Sequence, residues 1–150
     1  MDYIALKTEL TTDPKGLGYA ANLATTNDIA NAALYNSTTG PGAQVLTLPS
    51  LTHDEFAMLI APVVMALSTA TTALQAQWTP MLQLIGGVQT VVLNTQTLGI
   101  INALSADFST QLPDSAVTAA TTKMCSRCEV QNGVGVVAQW QDIAKATGRL

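Results

Sequence analysis

The sequence is short of charge, of aromatic rings and of the residue types on which most site chemistry is built. Of its 150 residues, 11% are charged and 5% aromatic, with two Cys and a single His. Two Cys are too few for a disulfide scaffold, and one His is too few for most metal centres or a His-based catalytic site. Six Lys and Arg stand against ten Asp and Glu, a net charge of −4. That balance argues against a sequence-specific or electrostatic nucleic-acid binder, which needs a basic stripe to neutralise phosphates. What is abundant is apolar: 48% of residues are hydrophobic and the mean hydropathy is +0.29. This is the opposite of a disordered composition, and the length suits one domain with a closed core.

The positions of the charges say more than their number. Lys and Arg are absent from Gly16 through Thr122, a stretch that still carries Asp28, Asp54, Glu55, Asp107 and Asp114. From Phe56 through Ala106 there is no charged residue at all. An ordinary soluble domain carries roughly 25% charged residues over its surface. A segment this bare must be wetted by Thr, Gln, Asn and Ser, covered by another chain, or placed in lipid. Lipid is the least suitable of the three. Residues 56–74 are close to the ~20 that span a bilayer, but they include Pro62, Ser68, Thr69, Thr71 and Thr72. Residues 81–104 carry Gln83, Gln89, Asn94, Gln96 and Asn102, which are costly in hydrocarbon, and no cationic cluster flanks either segment. The opening MDYIALKTEL has neither the charged nor the apolar region of a secretory signal, so synthesis in the cytoplasm is expected.

Periodicity gives a mainly α reading: a single small helical domain over 1–150 with a short β-hairpin near its C-terminus. Tyr3, Leu6 and Leu10 share one face of a helix over 2–10. Asn27 or Thr26 caps a second over 28–35, with Asp28 in the first turn. Residues 37–50, holding Gly40-Pro41-Gly42 and Pro49, read as a loop. Thr52-His53-Asp54-Glu55 is a capping box and opens a long helix over about 52–77. Phe56, Leu59, Ile60, Val63, Val64 and Leu67 form one stripe, and the opposite face is small and uncharged, a pattern suited to burial on both sides. Trp78 and Pro80 mark a joint before a second long helix over about 81–104, with a strand over 88–93 left open by its Val and Thr. Asn132-Gly133 between apolar segments points to the hairpin over 129–137, and a last short helix follows over 141–147.

Candidate chemistry is sparse. Cys125 and Cys128 form a C-x-x-C pair beside Lys123 and Arg127. Buried structural thiols are the leading reading, with a disulfide or a metal site behind it. His53 reads as a helix-start residue, since no nucleophile partner for a base is visible. Asp54 and Glu55 are adjacent and so diverge on a helix; capping and the dipole account for both. Gly16-Leu17-Gly18-Tyr19-Ala20-Ala21 imitates a dinucleotide fingerprint but follows Asp-Pro-Lys instead of a strand. Asn36-Ser37-Thr38 matches a glycosylation sequon. No catalytic, cofactor-binding or metal residue is assigned, and no enzyme activity is expected.

Two segments carry a resemblance. Ala5-Leu6-Lys7-Thr8-Glu9-Leu10, Asp13-Pro14, Gly18-Tyr19-Ala20 and Asn27-Asp28 with Leu34-Tyr35-Asn36 resemble the opening of small virion-associated proteins of tailed bacteriophages. Ser126-Arg127-Cys128-Glu129-Val130, Gly133, Gly135-Val136-Val137 and Asp142-Ile143-Ala144-Lys145-Ala146 resemble their ending, an S-R-x-E segment leading to a short terminal helix. The resemblance implies a non-enzymatic virion structural protein of the head-to-tail region, a homo-oligomeric ring on portal or neck neighbours. A capsid-decorating or tail accessory protein is the first alternative, and a membrane-active lysis protein the second.

Overall fold

Side-chain caps determine where most of the helices begin. Asp2 accepts hydrogen bonds from the Ile4 and Ala5 amides, both at 3.0 Å, and starts α1 (Tyr3–Thr12). Asn27 accepts from Ala30 at 3.1 Å and starts α3 (Asp28–Tyr35). Each cap satisfies an amide that the first helical turn leaves without a partner. The computed structural model describes residues 1–150, residue 86 by its backbone course only. It is 58% helical, so the mainly α class holds. The chain divides into two compact units: residues 1–46 with 124–150, and residues 47–123.

The first unit is made from both chain ends. It holds α1, α2 (Tyr19–Ala24), α3, α8 (Arg127–Asn132) and α9 (Trp140–Ala146) around Leu6, Leu10, Tyr19, Tyr35, Cys128 and Ile143. The helix α2 has no counterpart in the periodicity reading. It starts where Asp13, at φ 43°, turns the chain and accepts from the Leu17 and Gly18 amides at 2.7 Å each. The segment 37–50 is not all loop. It contains β1 (Gln44–Thr47), which pairs with β4 (Thr122–Cys125) where the chain leaves and rejoins this unit.

The hairpin over 129–137 does not form. Ser126 accepts from the Glu129 amide at 3.2 Å, and the Glu129 carboxylate accepts from the Ser126 amide at 2.9 Å. This reciprocal cap nucleates α8 across the residues assigned to the first hairpin strand. Gly133, at φ 104°, then ends the helix in a conformation that a side chain resists.

The second unit contains β2 (Ser50–Thr52), α4 (His53–Leu67), α5 (Thr72–Gly86), β3 (Thr90–Val92), α6 (Thr95–Asp107) and α7 (Asp114–Thr121). Phe56, Ile60, Val63, Trp78, Ile101, Leu104 and Leu112 form the centre of its core. The strands β2 and β3 are antiparallel, with Leu51 opposite Val91. Both long helices of the periodicity reading are broken, at places other than expected. Pro62 and Pro80 lie inside α4 and α5, and Trp78 is a core residue of α5 instead of a joint. The break falls at residues 68–71. There the Ser68 hydroxyl donates to the Met65 carbonyl at 2.7 Å and Thr69 to Ala66 at 3.1 Å, while Thr71 caps α5. Gln75 donates to the Leu67 and Ser68 carbonyls at the end of α4. A run of hydroxyls offers the backbone local partners and so competes with helix continuation. The second helix stops near Gly87, β3 occupies the segment left open at 88–93, and Asn94 caps α6 through the Thr97 amide at 2.9 Å.

Candidate functional site

Two arrangements stand out, one in each unit. In the first, the resemblance segments meet. Glu9 of α1 is 2% exposed and receives two bonds from Arg127 of α8, Nε to Oε1 at 3.0 Å and Nη2 to Oε2 at 2.8 Å. Gln131, one turn further along α8, donates to the same Oε2 at 2.7 Å. The Gln131 side-chain oxygen, Oε1, accepts from the Tyr35 hydroxyl at 2.5 Å, and that hydroxyl accepts from the Asn132 side-chain amide at 3.0 Å. The Glu9 bond raises the Arg127 guanidinium further above its ordinary range. Burial pushes the Tyr35 hydroxyl up to about 12, against the opposing pull of the Asn132 bond. Burial and then the Glu9 charge raise that of Tyr19. Every oxygen of Glu9 is engaged and the tyrosines are held neutral, so this cluster fixes α1, α3 and α8 to one another and offers no base or nucleophile.

In the second unit the absence of charge in the sequence becomes a surface. The charge-free residues 56–106 lie wholly within it. The face of α4 turned from the core is large and apolar: Met58 is 78% exposed, Met65 76% and Val64 49%. With the exposed Ala61, the two methionines form a crest at i, i+3, i+7. Apolar grooves flank this crest. One, of about 510 Å³, is lined by Leu48, Leu51, Met58, Leu59, Ala119 and Ala120, together with Glu55, Thr122 and Lys123. On the other flank, cavities of about 380 and 270 Å³ share Val64, Leu67 and Thr79 and have no charged lining residue. Contiguous exposed apolar groups of this kind occur at protein or membrane contacts and in ligand-binding grooves.

The residues singled out in the sequence lie apart from both arrangements or serve the fold. Cys125 and Cys128 are buried thiols that form no disulfide, and desolvation pushes that of Cys128 up to about 11. His53 is exposed at the start of α4, its Nδ1 3.2 Å from the Val88 carbonyl. Glu55 accepts from the Thr52 amide and hydroxyl at 2.8 Å each, bonds that hold its carboxyl below the usual range. Gly18 precedes a six-residue helix that follows a turn, not a strand. Asn36 of the sequon is occupied: it donates to the Ala138 carbonyl at 2.7 Å and accepts from the Ala138 amide at 2.9 Å. Among the described residues no group of three His, Cys, Asp or Glu side chains is placed to hold a metal ion, and no helix is long and apolar enough to cross a membrane.

Met58 and Met65 are the residues that sequence reasoning missed. Their helical spacing was available, but the stripe of larger aliphatics on the opposite face claimed the helix for the core. No protein-family model, curated protein or solved structure matches the chain.

Proposed function

We propose that this chain is a non-enzymatic virion structural protein of a tailed bacteriophage, a ring-forming subunit of the head-to-tail connector or neck that assembles through its uncharged central region. The observation that carries the reading is the α4 face: Met58 and Met65 three-quarters exposed within a stretch free of Asp, Glu, Lys and Arg. Permanent interfaces between subunits are apolar and poor in Lys and Glu. The meeting of both resemblance segments at Glu9 and Arg127 adds support, because the two ends then act as one folded element. In this reading the first unit, which holds every Lys and Arg except Lys123, faces solvent or neighbouring virion proteins. The test is a native mass measurement of the purified protein, followed by its copy number in intact particles. An oligomer with a connector-like copy number is expected. A high, lattice-like copy number would favour a capsid-decorating role instead. A monodisperse monomer at high concentration that binds no virion protein would overturn the proposal.

A further inference from the structure

We infer that β3 pairs edge to edge with β3 of a second copy, antiparallel and related by a two-fold axis, with Thr90 opposite Val92. The contact does not rest on the ring reading, since a two-fold contact closes at two copies and does not propagate.

Register within the small sheet decides which backbone groups are on offer. The His53 amide donates to the Gln89 carbonyl and the Leu93 amide to the Pro49 carbonyl, both at 2.9 Å. The pair midway between them, Leu51 and Val91, shares that inward phase. In an antiparallel ladder such positions alternate with ones whose amides and carbonyls point outward. On β3 the outward residues are Thr90 and Val92, and on β2 they are Ser50 and Thr52.

The two edges are not equivalent. On β2 the Thr52 amide is taken by the Glu55 carboxylate at 2.8 Å, which also sets a charge there. On β3 the Val92 carbonyl accepts from the Asn94 amide at 3.1 Å and keeps a second lone pair. A cavity of about 240 Å³ runs beside this edge, lined by Leu84, Ile85, Val88 and Thr97 as well as the strand. Proteins guard open edges with Lys, Pro or an inward charge. Between Pro80 and Asp107 there is neither proline nor charge. Val88-Gln89-Thr90-Val91-Val92-Leu93 has instead the uncharged, β-forming composition that pairs with copies of itself.

The pattern of donors and acceptors selects the occupant. Turned end for end, β3 supplies what β3 needs: the Thr90 amide meets the Val92 carbonyl of the other copy, and the Val92 amide meets its Thr90 carbonyl. The two-fold axis repeats both bonds. The exposed Thr90 and Val92 side chains become cross-strand neighbours, and two marginal two-stranded sheets become one of four strands. A three-residue edge is short, so the pairing should depend on concentration.

Sedimentation velocity across a wide concentration range tests this, with circular dichroism confirming that each variant is folded. Val92→Pro removes an outward amide that β2 does not use. Thr90→Glu/Val92→Glu sets like charges opposite each other, whereas Thr90→Lys/Val92→Glu sets opposite ones. The first two should be unpaired where the parent is paired, and the third should pair. Copies carrying Thr90→Cys, mixed with copies carrying Val92→Cys, should cross-link on oxidation, and neither should do so alone. Equal association of the parent and the Glu/Glu variant, or no mixed cross-link, overturns the edge contact. Rings that survive Glu/Glu intact overturn it and leave the ring reading standing. A dimer that Glu/Glu splits supports the edge contact against the ring reading, and double rings that halve support both. A parent that is monomeric at every concentration overturns both, even if the edge captures some other peptide.

Discussion

Glu9 and Arg127 lie 118 positions apart, and their side chains are joined by two hydrogen bonds of 3.0 and 2.8 Å. The carboxylate is 1% exposed and the guanidinium 15%. This pair ties the first helix of the chain to the S-R-x-E segment near its end, and a third bond from Gln131 completes the cradle. Between these two points the chain runs out through the whole of the second unit and returns.

Removing one partner should therefore be far worse than removing both. Arg127→Ala leaves a buried carboxylate with only Gln131, and losses of about 3–5 kcal/mol follow when one member of such a pair is deleted. Glu9→Gln combined with Arg127→Met should recover a large part of that loss. Arg127→Lys should not rescue, since an ammonium cannot meet both carboxylate oxygens in the plane of a guanidinium. Urea unfolding of the four proteins measures this, and equal stability of Arg127→Ala and the parent would show that the pair has no structural role.

The two reciprocal caps make a matched comparison. Thr52→Ala and Ser126→Ala each remove a side chain that accepts from the third amide of its helix, at a typical cost of about 1 kcal/mol. The Ser126 cap is buried and the Thr52 cap exposed, so Ser126→Ala should be the more damaging. A pH effect accompanies the exposed cap. The folded Glu55 carboxyl is held below its ordinary value of 4.5 by Thr52. Its contribution is therefore present above about pH 4.5 and is lost as pH falls through the folded value. Glu55→Gln should flatten that part of the acid limb of stability, and an unchanged limb would contradict the assignment.

The pair of caps also shows what the sequence could and could not disclose. Thr52-x-x-Glu55 followed by a clear apolar stripe announced α4 correctly. The same chemistry in Ser126-x-x-Glu129 opens α8, but the periodicity reading makes no use of it and rests on the turn signal at Asn132-Gly133, which predicts a hairpin. The helix break at 68–71 was also readable in its run of Ser and Thr, but Trp78 and Pro80 drew the boundary further on. The bond between Glu9 and Arg127 belongs to a different category. It depends on tertiary placement, and no periodicity reports it. The candidate surface was half legible: the lack of charge in 56–106 pointed to coverage by other chains, but which face of α4 stays exposed depends on where α5, α6 and α7 pack.

The two thiols should be inert in the folded protein. Cys125 and Cys128 are buried, and burial pushes the Cys128 thiol from about 9 up to about 11, so it is protonated at neutral pH and a poor nucleophile. Iodoacetamide should label neither in the native state and both after denaturation. The linked stability runs in the alkaline direction. A raised folded value means that the folded state binds more protons than the unfolded one between pH 9 and 11. Stability is thus fully present below pH 9 and falls as pH climbs through 11. Cys128→Ala should lose part of this slope, leaving the portion due to Tyr35, whose hydroxyl is pushed up to about 12. Rapid labelling of both thiols in the native protein at pH 7 would show that they are accessible, contrary to their burial.

The last prediction concerns the independence of the first unit. The strands β1 and β4 carry the chain away from it and back, and just beyond them the Leu48 amide donates to the Thr121 carbonyl at 2.8 Å. Two chain segments held at that distance can be joined by a two-residue turn, and Asn-Gly is the sequence that closes an antiparallel pair with the twist such strands need. A shortened chain in which Asn-Gly replaces residues 49–120 keeps α1, α2, α3, α8 and α9, their core of Leu6, Leu10, Tyr19, Tyr35 and Ile143, and the Glu9–Arg127 pair. None of those contacts draws on a residue between 49 and 120. The shortened protein should give a helical circular dichroism spectrum and a cooperative urea transition, and Arg127→Ala should destabilise it as it does the full chain. It should also have lost self-association, because the uncharged face goes with the removed segment. A shortened chain that remains unfolded would mean that the second unit is required for the first to form, and a shortened chain that still assembles would move the subunit contact to the chain ends.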